Sequence, residues 1–361
     1  MESKTTSHRT NWFRKTEVPV VIAGPCSVET EEQLVETCKG IAATGKVDML
    51  RGGIWKPRTS AGNFEGIGVA GLPWMKRVKE ETGLPITVEA AKAGHAEMCL
   101  AFGVDIIWIG ARTSVNPFSV QEIAEALRGT DVPVLVKNPI NPDLKLWLGA
   151  VDRFEKVGIK NVGVIHRGFS NTGEKVYRNR PQWQIALDFM KERPELPMIC
   201  DPSHICGRRD LLHDVSQKAV DLSYDGLMIE THRDPDNAWT DAKQQITPKR
   251  LGEMITDLKL RLAKEADPDI QNSLGFLRQE ITEIDTDILN LLVSRMGVAR
   301  KIGEYKKKND IAIYQAKRWD EITSSAKERG RSEGLSVEFI DKFLRAIHDE
   351  SINQQEQVMK S

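Results

Sequence analysis

Pro197-Met-Ile-Cys-Asp-Pro-Ser-His204 is a short apolar run that stops abruptly at an acid, a proline and a histidine. The same design recurs along the chain. Val18–Cys26, Val47–Ile54, Pro85–Ala90, Asp105–Ala111, Pro133–Pro139, Asn161–Gly168 and Gly226–His232 are also apolar runs closed by polar or charged residues. They are continuous rather than alternating, as parallel strands covered on both faces must be. Helical patterns separate them, for example Glu31–Ala43, Ala91–Phe102, Val120–Leu127 and Pro248–Leu262. Eight strand–helix units in about 250 residues predict an α/β (β/α)8 TIM barrel over residues 15–263. An open doubly wound sheet competes less well, because no Gly-x-Gly-x-x-Gly follows the first strand.

The pattern changes at Lys264. Residues 264–272 are polar, contain Pro268 and lack periodicity, so they read as a linker. Residues 273–361 read as a small all-α domain. From Leu274 to Lys308 the apolar residues Leu277, Ile281, Ile284, Ile288, Leu291, Leu292, Val298 and Ile302 mark one long amphipathic helix. Asn309-Asp310 break it, and further helices are predicted over about Gln315–Arg329 and Val337–Gln357, around a loop at Gly330–Gly334. A first helix of about 50 Å has too narrow a core on its own, which predicts a homodimer through this domain.

A formal net charge of -1 gives no general attraction for nucleic acid or an anionic membrane, so neither is expected as a partner. No apolar run approaches bilayer length and Met1–Thr16 carries no signal-peptide core, so a cytoplasmic protein is expected. The 5 cysteines lack framework spacing and read as reduced thiols.

In a barrel of this type chemistry sits where strands end. The ends deliver Cys26, Arg51 with Lys56 and Arg58, Glu89, Arg112, Lys137, Arg167, Asp201 with His204, and Glu230 to one rim. Strand eight closes against strand one, so Cys26, His204 and Glu230 become neighbours, with Asp241 in the following loop. A thiolate, an imidazole and carboxylates suit one divalent transition metal of the Mn, Fe, Co or Zn class, and no organic cofactor is called for. Cys38, Cys99 and Cys200 read as small buried hydrophobes; Cys206 is left open. The cations Arg51, Lys56, Arg58, Arg112, Lys137 and Arg167 would repel one another unless anions bind, which points to phosphate and carboxylate groups.

The segments Gly24-Pro-Cys-Ser27, Lys56-Pro-Arg-Thr-Ser60, Ile109-Gly-Ala-Arg112, Lys137-Asn-Pro139, His166-Arg-Gly168 and Asp201-Pro-Ser-His204, with Glu230 and Asp241, resemble 3-deoxy-D-arabino-heptulosonate 7-phosphate (DAHP) synthase. The resemblance is to the compact subfamily similar to 3-deoxy-octulosonate 8-phosphate synthase. It implies condensation of phosphoenolpyruvate with erythrose 4-phosphate, the first reaction of the shikimate pathway. It further implies metal ligands at Cys26, His204, Glu230 and Asp241. Phosphoenolpyruvate contacts would fall on Arg51, Lys56, Arg112, Lys137 and the His166-Arg167 pair, chiefly the arginine, and sugar-phosphate contacts on Arg58 and Thr59. Metal-independent octulosonate synthases carry Asn where this chain has Cys26, so metal dependence is expected. The sequence begins near strand one, so the ferredoxin-like regulatory extension of some relatives is not expected.

In the helical part Arg278, Arg295 and Lys306 are spaced by 17 and 11 residues, steps read as returning close to one helix face. Together with the Leu277–Asp285 stretch, the segment resembles the all-helical chorismate mutase fold. That resemblance implies rearrangement of chorismate to prephenate, with active-site residues Arg278, Arg295, Lys306, Arg318, Ser351 and Gln355. Arg278 takes the position of the family arginine that enters the partner subunit's site. Gln315 and Trp319 depart from carboxylates found in some members. Feedback inhibition by prephenate or chorismate is the accompanying expectation. The alternatives are a purely regulatory, dimerising helical domain, and an octulosonate synthase barrel.

Overall fold

A computed structural model describes residues 18–57, 62, 64–171, 173, 175–260, 268–314 and 316–360. Arg58, Thr59 and Gln315 lie outside the described residues, as does the side chain of Arg318. Contacts divide the chain into two compact units, Met1–Ala263 and Lys264–Ser361.

The first unit is a closed parallel barrel in strand order β1 to β8. The strands are β1 (Val20–Gly24), β2 (Met49–Gly52), β3 (Ile86–Ala90), β4 (Ile106–Ile109), β5 (Val134–Lys137), β6 (Val162–His166), β7 (Met198–Cys200) and β8 (Gly226–Glu230), and β8 pairs back onto β1 over Val20↔Gly226 to Gly24↔Glu230. Each is shorter than the apolar run that announced it; in all but β3, which keeps Ala90, the run's last residues already belong to the rim. The connecting helices are α1 (Glu31–Ala42), α2 (Gly71–Thr82), α3 (Ala93–Ala101), α4 (Pro117–Ala126), α5 (Leu144–Lys156), α6 (Trp183–Glu192), α7 (Pro202–Cys206), α8 (Leu212–Asp221) and α9 (Pro248–Asp257). Their starts are legible as caps. Thr30, Asn116, Asp143, Asp201 and Thr247 each accept a backbone N–H of the first turn, and Pro follows the cap in α4, α7 and α9.

The period of two along a strand splits the core into two layers. Val20, Ile22, Met49, Ile106, Trp108, Leu135, Ile165, Ile199 and Met228 fill the barrel interior. Their alternates, such as Val21, Leu50, Val88, Ile107, Val136, Val164 and Leu227, pack outward against the helices. At Gly24 the backbone has φ +154°, and a Cβ there would lie 2.0 Å from the Arg51 carbonyl oxygen. Only glycine lets β1 and β2 close up at the point where the chain turns into Cys26.

The second unit holds three helices among its described residues: α10 (Pro268–Lys308), α11 (Ala316–Ser332) and α12 (Val337–Lys360). Helix α10 starts inside the stretch read as linker. Pro268 favours this, since its fixed φ suits a first helical residue and it has no N–H to leave unpaired. The break after Lys308 is where expected, with Asp310 at φ +53°. Helix α12 packs on both α10 and α11. Along α10, however, Leu277, Ile281, Ile284, Ile288 and Leu291 are all exposed, Leu291 to 70%. No helix among the described residues is long and apolar enough to cross a membrane.

Candidate active site

Residues two positions beyond an interior side chain of the same strand point into the barrel at its C-terminal mouth. That parity sends Arg51 after Met49, Glu89 after Thr87, Lys137 after Leu135, Arg167 after Ile165, Asp201 after Ile199 and Glu230 after Met228. Lys56, Arg112, Lys137, Arg167 and Arg178 supply the cations of one cleft, and Glu89, His204 and Asp241 line it too. Arg51 lies deeper, 1% exposed. Its Nη2 is 3.3 Å from Glu230 Oε1, and its guanidinium carbon is 4.9 Å from the ring centre of Trp108. Trp108 also has Lys137 Nζ 5.9 Å from that centre and donates its indole N–H to Glu89 Oε2 at 3.2 Å. Lys137 Nζ donates to Asp201 Oδ2 at 2.7 Å. Arg167 donates to Asn179 Oδ1 at 2.7 Å. Burial pushes its pKa down to about 10, so it stays a cation at neutral pH.

Cys26, Glu230 and Asp241 each offer a donor atom, all within 4.8 Å of one another. Cys26 Sγ is 3.2 Å from Asp241 Oδ2, and Lys56 Nζ donates to the same sulfur at 2.9 Å. His204 Nε2 stands 3.7 Å from Glu230 Oε1, at the edge of the group. His204 Nδ1 is 2.8 Å from Asp201 Oδ2, off the line of a good hydrogen bond. A proton on Nδ1, towards Asp201, leaves Nε2 as a lone-pair donor on the Glu230 side. Burial lowers the His204 pKa, which favours that neutral form. Burial raises the Cys26 thiol to about 12, with Glu230 adding to the effect and Lys56 opposing it. Burial would also raise the acids. Arg178, His204 and Lys56 outweigh it at Asp241, as do His204 and Lys137 at Asp201, and both carboxyls are held below the usual range. Glu230 Oε1 is buried and accepts no hydrogen bond. A thiol, an imidazole nitrogen and two ionised carboxylates, one with an open oxygen, fit a divalent transition metal.

Cys38, Cys99 and Cys200 are core residues, as the sequence reading holds, and Cys206 joins them at 2% exposure. His166 does not join the cleft. The parity that points Arg167 inward points His166 outward, into the rings of Trp147, Trp183 and Tyr224. Its Nε2 donates to the Pro181 carbonyl at 2.6 Å, so its Nδ1 accepts from the Tyr224 hydroxyl at 2.8 Å.

In the helical unit Arg295 donates to Ser351 Oγ at 2.5 Å, bringing α10 and α12 together. Lys306, Ser351 and Gln355 are all buried nearby on the same pair of helices, and Gln355 Oε1 has no hydrogen-bond partner. Burial lowers the pKa of both Arg295 and Lys306. Arg278 stands apart and exposed. Seventeen residues are about 4.7 turns rather than a whole number, so the expectation of a shared face fails for Arg278 and holds for Arg295 and Lys306. Trp319 stacks on His348 at 4.1 Å. The residues that sequence reasoning missed are Arg178, Asn179, Gln244 and Trp108. Arg178 and Asn179 sit in a loop and Gln244 in a single 3-10 turn, none with a periodic pattern; Trp108 reads as ordinary core.

A closed parallel barrel with cations converging beside a thiol, an imidazole and acids defines a (β/α)8 enzyme for anionic substrates. Comparison with known proteins narrows this. The model of the DAHP synthetase I family matches residues 14–264, and that of chorismate mutase type II matches residues 277–356. The chain belongs to the DAHP synthetase I family and carries a chorismate mutase domain behind its synthase domain. A phospho-2-dehydro-3-deoxyheptonate aldolase of Thermotoga maritima is 33% identical over 239 residues, which is 66% of this chain and 68% of that one. A 2-dehydro-3-deoxyphosphooctonate aldolase of Magnetococcus marinus is 28% identical over 270 residues, covering 68% of this chain and 89% of that one. The crystal structure of the Thermotoga maritima DAHP synthase superposes with a TM-score of 0.59 at 30% identity, over 67% of this chain and 68% of that one.

Burial pushes the His166 pKa down to about 4. Between that value and about 6.5 the unfolded chain binds a proton that the folded one refuses. The stabilisation is therefore complete above about pH 6.5 and shrinks as pH falls, by up to about 3 kcal/mol. Denaturant titrations from pH 7 to 4 should show this acid loss in the wild type and a shallower one in His166→Gln, which keeps a donor for Pro181. Equal slopes would exclude a buried neutral His166.

Proposed function

We propose that the barrel is a metal-dependent DAHP synthase, condensing phosphoenolpyruvate with erythrose 4-phosphate, and that the helical domain rearranges chorismate to prephenate. The observation that carries the first half is the convergence of Lys56, Arg112, Lys137 and Arg167 on one cleft beside Cys26, His204, Glu230 and Asp241. Those four hold the metal, which supplies a Lewis acid for the aldehyde oxygen. Arg51, Lys56, Arg112, Lys137 and Arg167 hold the phosphate and carboxylate of phosphoenolpyruvate, and Arg58 with Thr59 the sugar phosphate. Held in near-attack geometry, the methylene carbon of phosphoenolpyruvate attacks the aldehyde carbon. Water then adds to the cationic centre and inorganic phosphate leaves. Lys56, whose ammonium contacts Cys26 Sγ, gives its proton to the developing alkoxide. Metal-stripped protein should lose synthase turnover and regain it when Mn, Fe, Co or Zn is supplied singly; full activity without metal would overturn the reading. Lys56→Met should lower kcat by about 100-fold with a smaller change in KM. A raised KM at unchanged kcat would remove the proton-donor role.

The mutase reaction is pericyclic and needs no nucleophile or proton transfer. Arg295, with Arg278 supplied from a second copy and Arg318, clamps the two carboxylates in the compact conformer. Lys306 and Gln355 stabilise the ether oxygen as its bond breaks, and Ser351 fixes Arg295. The exposed stripe of α10 supports a homodimer, since a face of this kind is covered in a stable fold. Arg295→Ala should cut mutase turnover by about 100-fold or more while the synthase rate stays unchanged; retained mutase activity would refute the assignment. A purely regulatory, dimerising helical domain that binds prephenate or chorismate is the second reading, and it would use the same stripe to dimerise.

A further inference from the structure

Arg178 and Asn179, in the connection between β6 and α6, are joined to several parts of the site at once. Arg178 Nη1 lies 2.9 Å from Asp241 Oδ1 and donates to Gln244 Oε1 at 2.7 Å. Gln244 in turn donates to Glu230 Oε2 at 2.5 Å. Asn179 donates to the His204 carbonyl at 2.6 Å and accepts from Arg167. The backbone N–H groups of Arg178 and Asn179 donate to the carbonyls of Cys206 and Ile205, at the end of α7. That close approach requires glycine next door. Gly207 has φ +65°, and a Cβ on it would be 2.5 Å from Arg178 Cβ.

The consequence is a sorting of carboxylate oxygens. Arg178 engages Asp241 Oδ1, which leaves Oδ2 facing Cys26 Sγ. Drawing the Gln244 oxygen to Arg178 turns its NH2 to Glu230 Oε2, which leaves Glu230 Oε1 without a hydrogen bond. Asp241 is meanwhile in the left-handed region at φ +50°, a conformation a non-glycine residue keeps only when its surroundings hold it. Resting on the metal-dependent reading above, we propose that Arg178 is a positioning residue, which presents Asp241 Oδ2 and Glu230 Oε1 to the metal.

Full-length, metal-stripped wild type, Arg178→Met and Arg178→Lys are titrated with Co2+. The thiolate-to-cobalt absorption band from Cys26 and a competing chelator report Kd. Loss of an outer partner of this kind weakens metal binding by about 10- to 100-fold, and that is the rise in Kd expected for Arg178→Met. Lysine, whose ammonium is shorter, should restore part of it. Thermal unfolding of the metal-stripped proteins, followed by near-UV circular dichroism of the barrel tryptophans, should match the wild type, which shows that the barrel is folded. An unmoved or tighter Kd in Arg178→Met, with a normal wild-type band, overturns this proposal alone. A wild type without the band overturns the metal-dependent reading and this proposal with it.

Discussion

The constraint on which the barrel unit depends is the two-residue alternation of a strand in a closed sheet. Once Met49, Leu135, Ile165, Ile199 and Met228 are committed to the interior, the residues two places further on must share the mouth. Six of the eight strands spend those places on a charged residue, while β1 and β4 spend theirs on Gly24 and Gly110. The functional groups need no separate assembly; they are brought together by the pairing that closes β8 on β1.

Gathering charge in this way has an electrostatic cost that the interior acids offset. Arg51 is wholly buried, and such a cation is tolerable only beside partners. Glu230 and Asp201 serve it and Lys137, and both cations also lie against the Trp108 ring. The two acids thus each have a buried cation and His204 within 4.0 Å. What remains open towards the cleft is a surplus of positive charge on one flank and a thiol–carboxylate group on the other. An anionic substrate with a polarisable oxygen suits that division.

Much of this was legible in the chain. Parallel strands covered on both faces are continuous apolar runs, so Val20–Gly24 or Val134–Lys137 could be read as strands, and the charges just after them as rim. The direction of His166 was legible as well: adjacent residues face opposite ways, so His166 and Arg167 could not both enter the mouth. The same kind of counting separates Arg278 from Arg295. Arg178 and Asn179 were not legible, because nothing local marks a loop residue whose importance comes from α7, Gln244 and Asp241 meeting it in space. The early start of α10 was hidden by a proline that reads as a breaker and here begins a helix.

The uncovered row from Leu277 to Leu291 ties the second unit to mass action. Whatever surface comes to cover that row, the free energy released on covering it adds to the stability of the folded helix, and its size follows the concentration of the covering surface. In the homodimer proposed above that surface belongs to a second copy, so dilution would uncover the row and loosen the helix that carries Arg295 and Lys306.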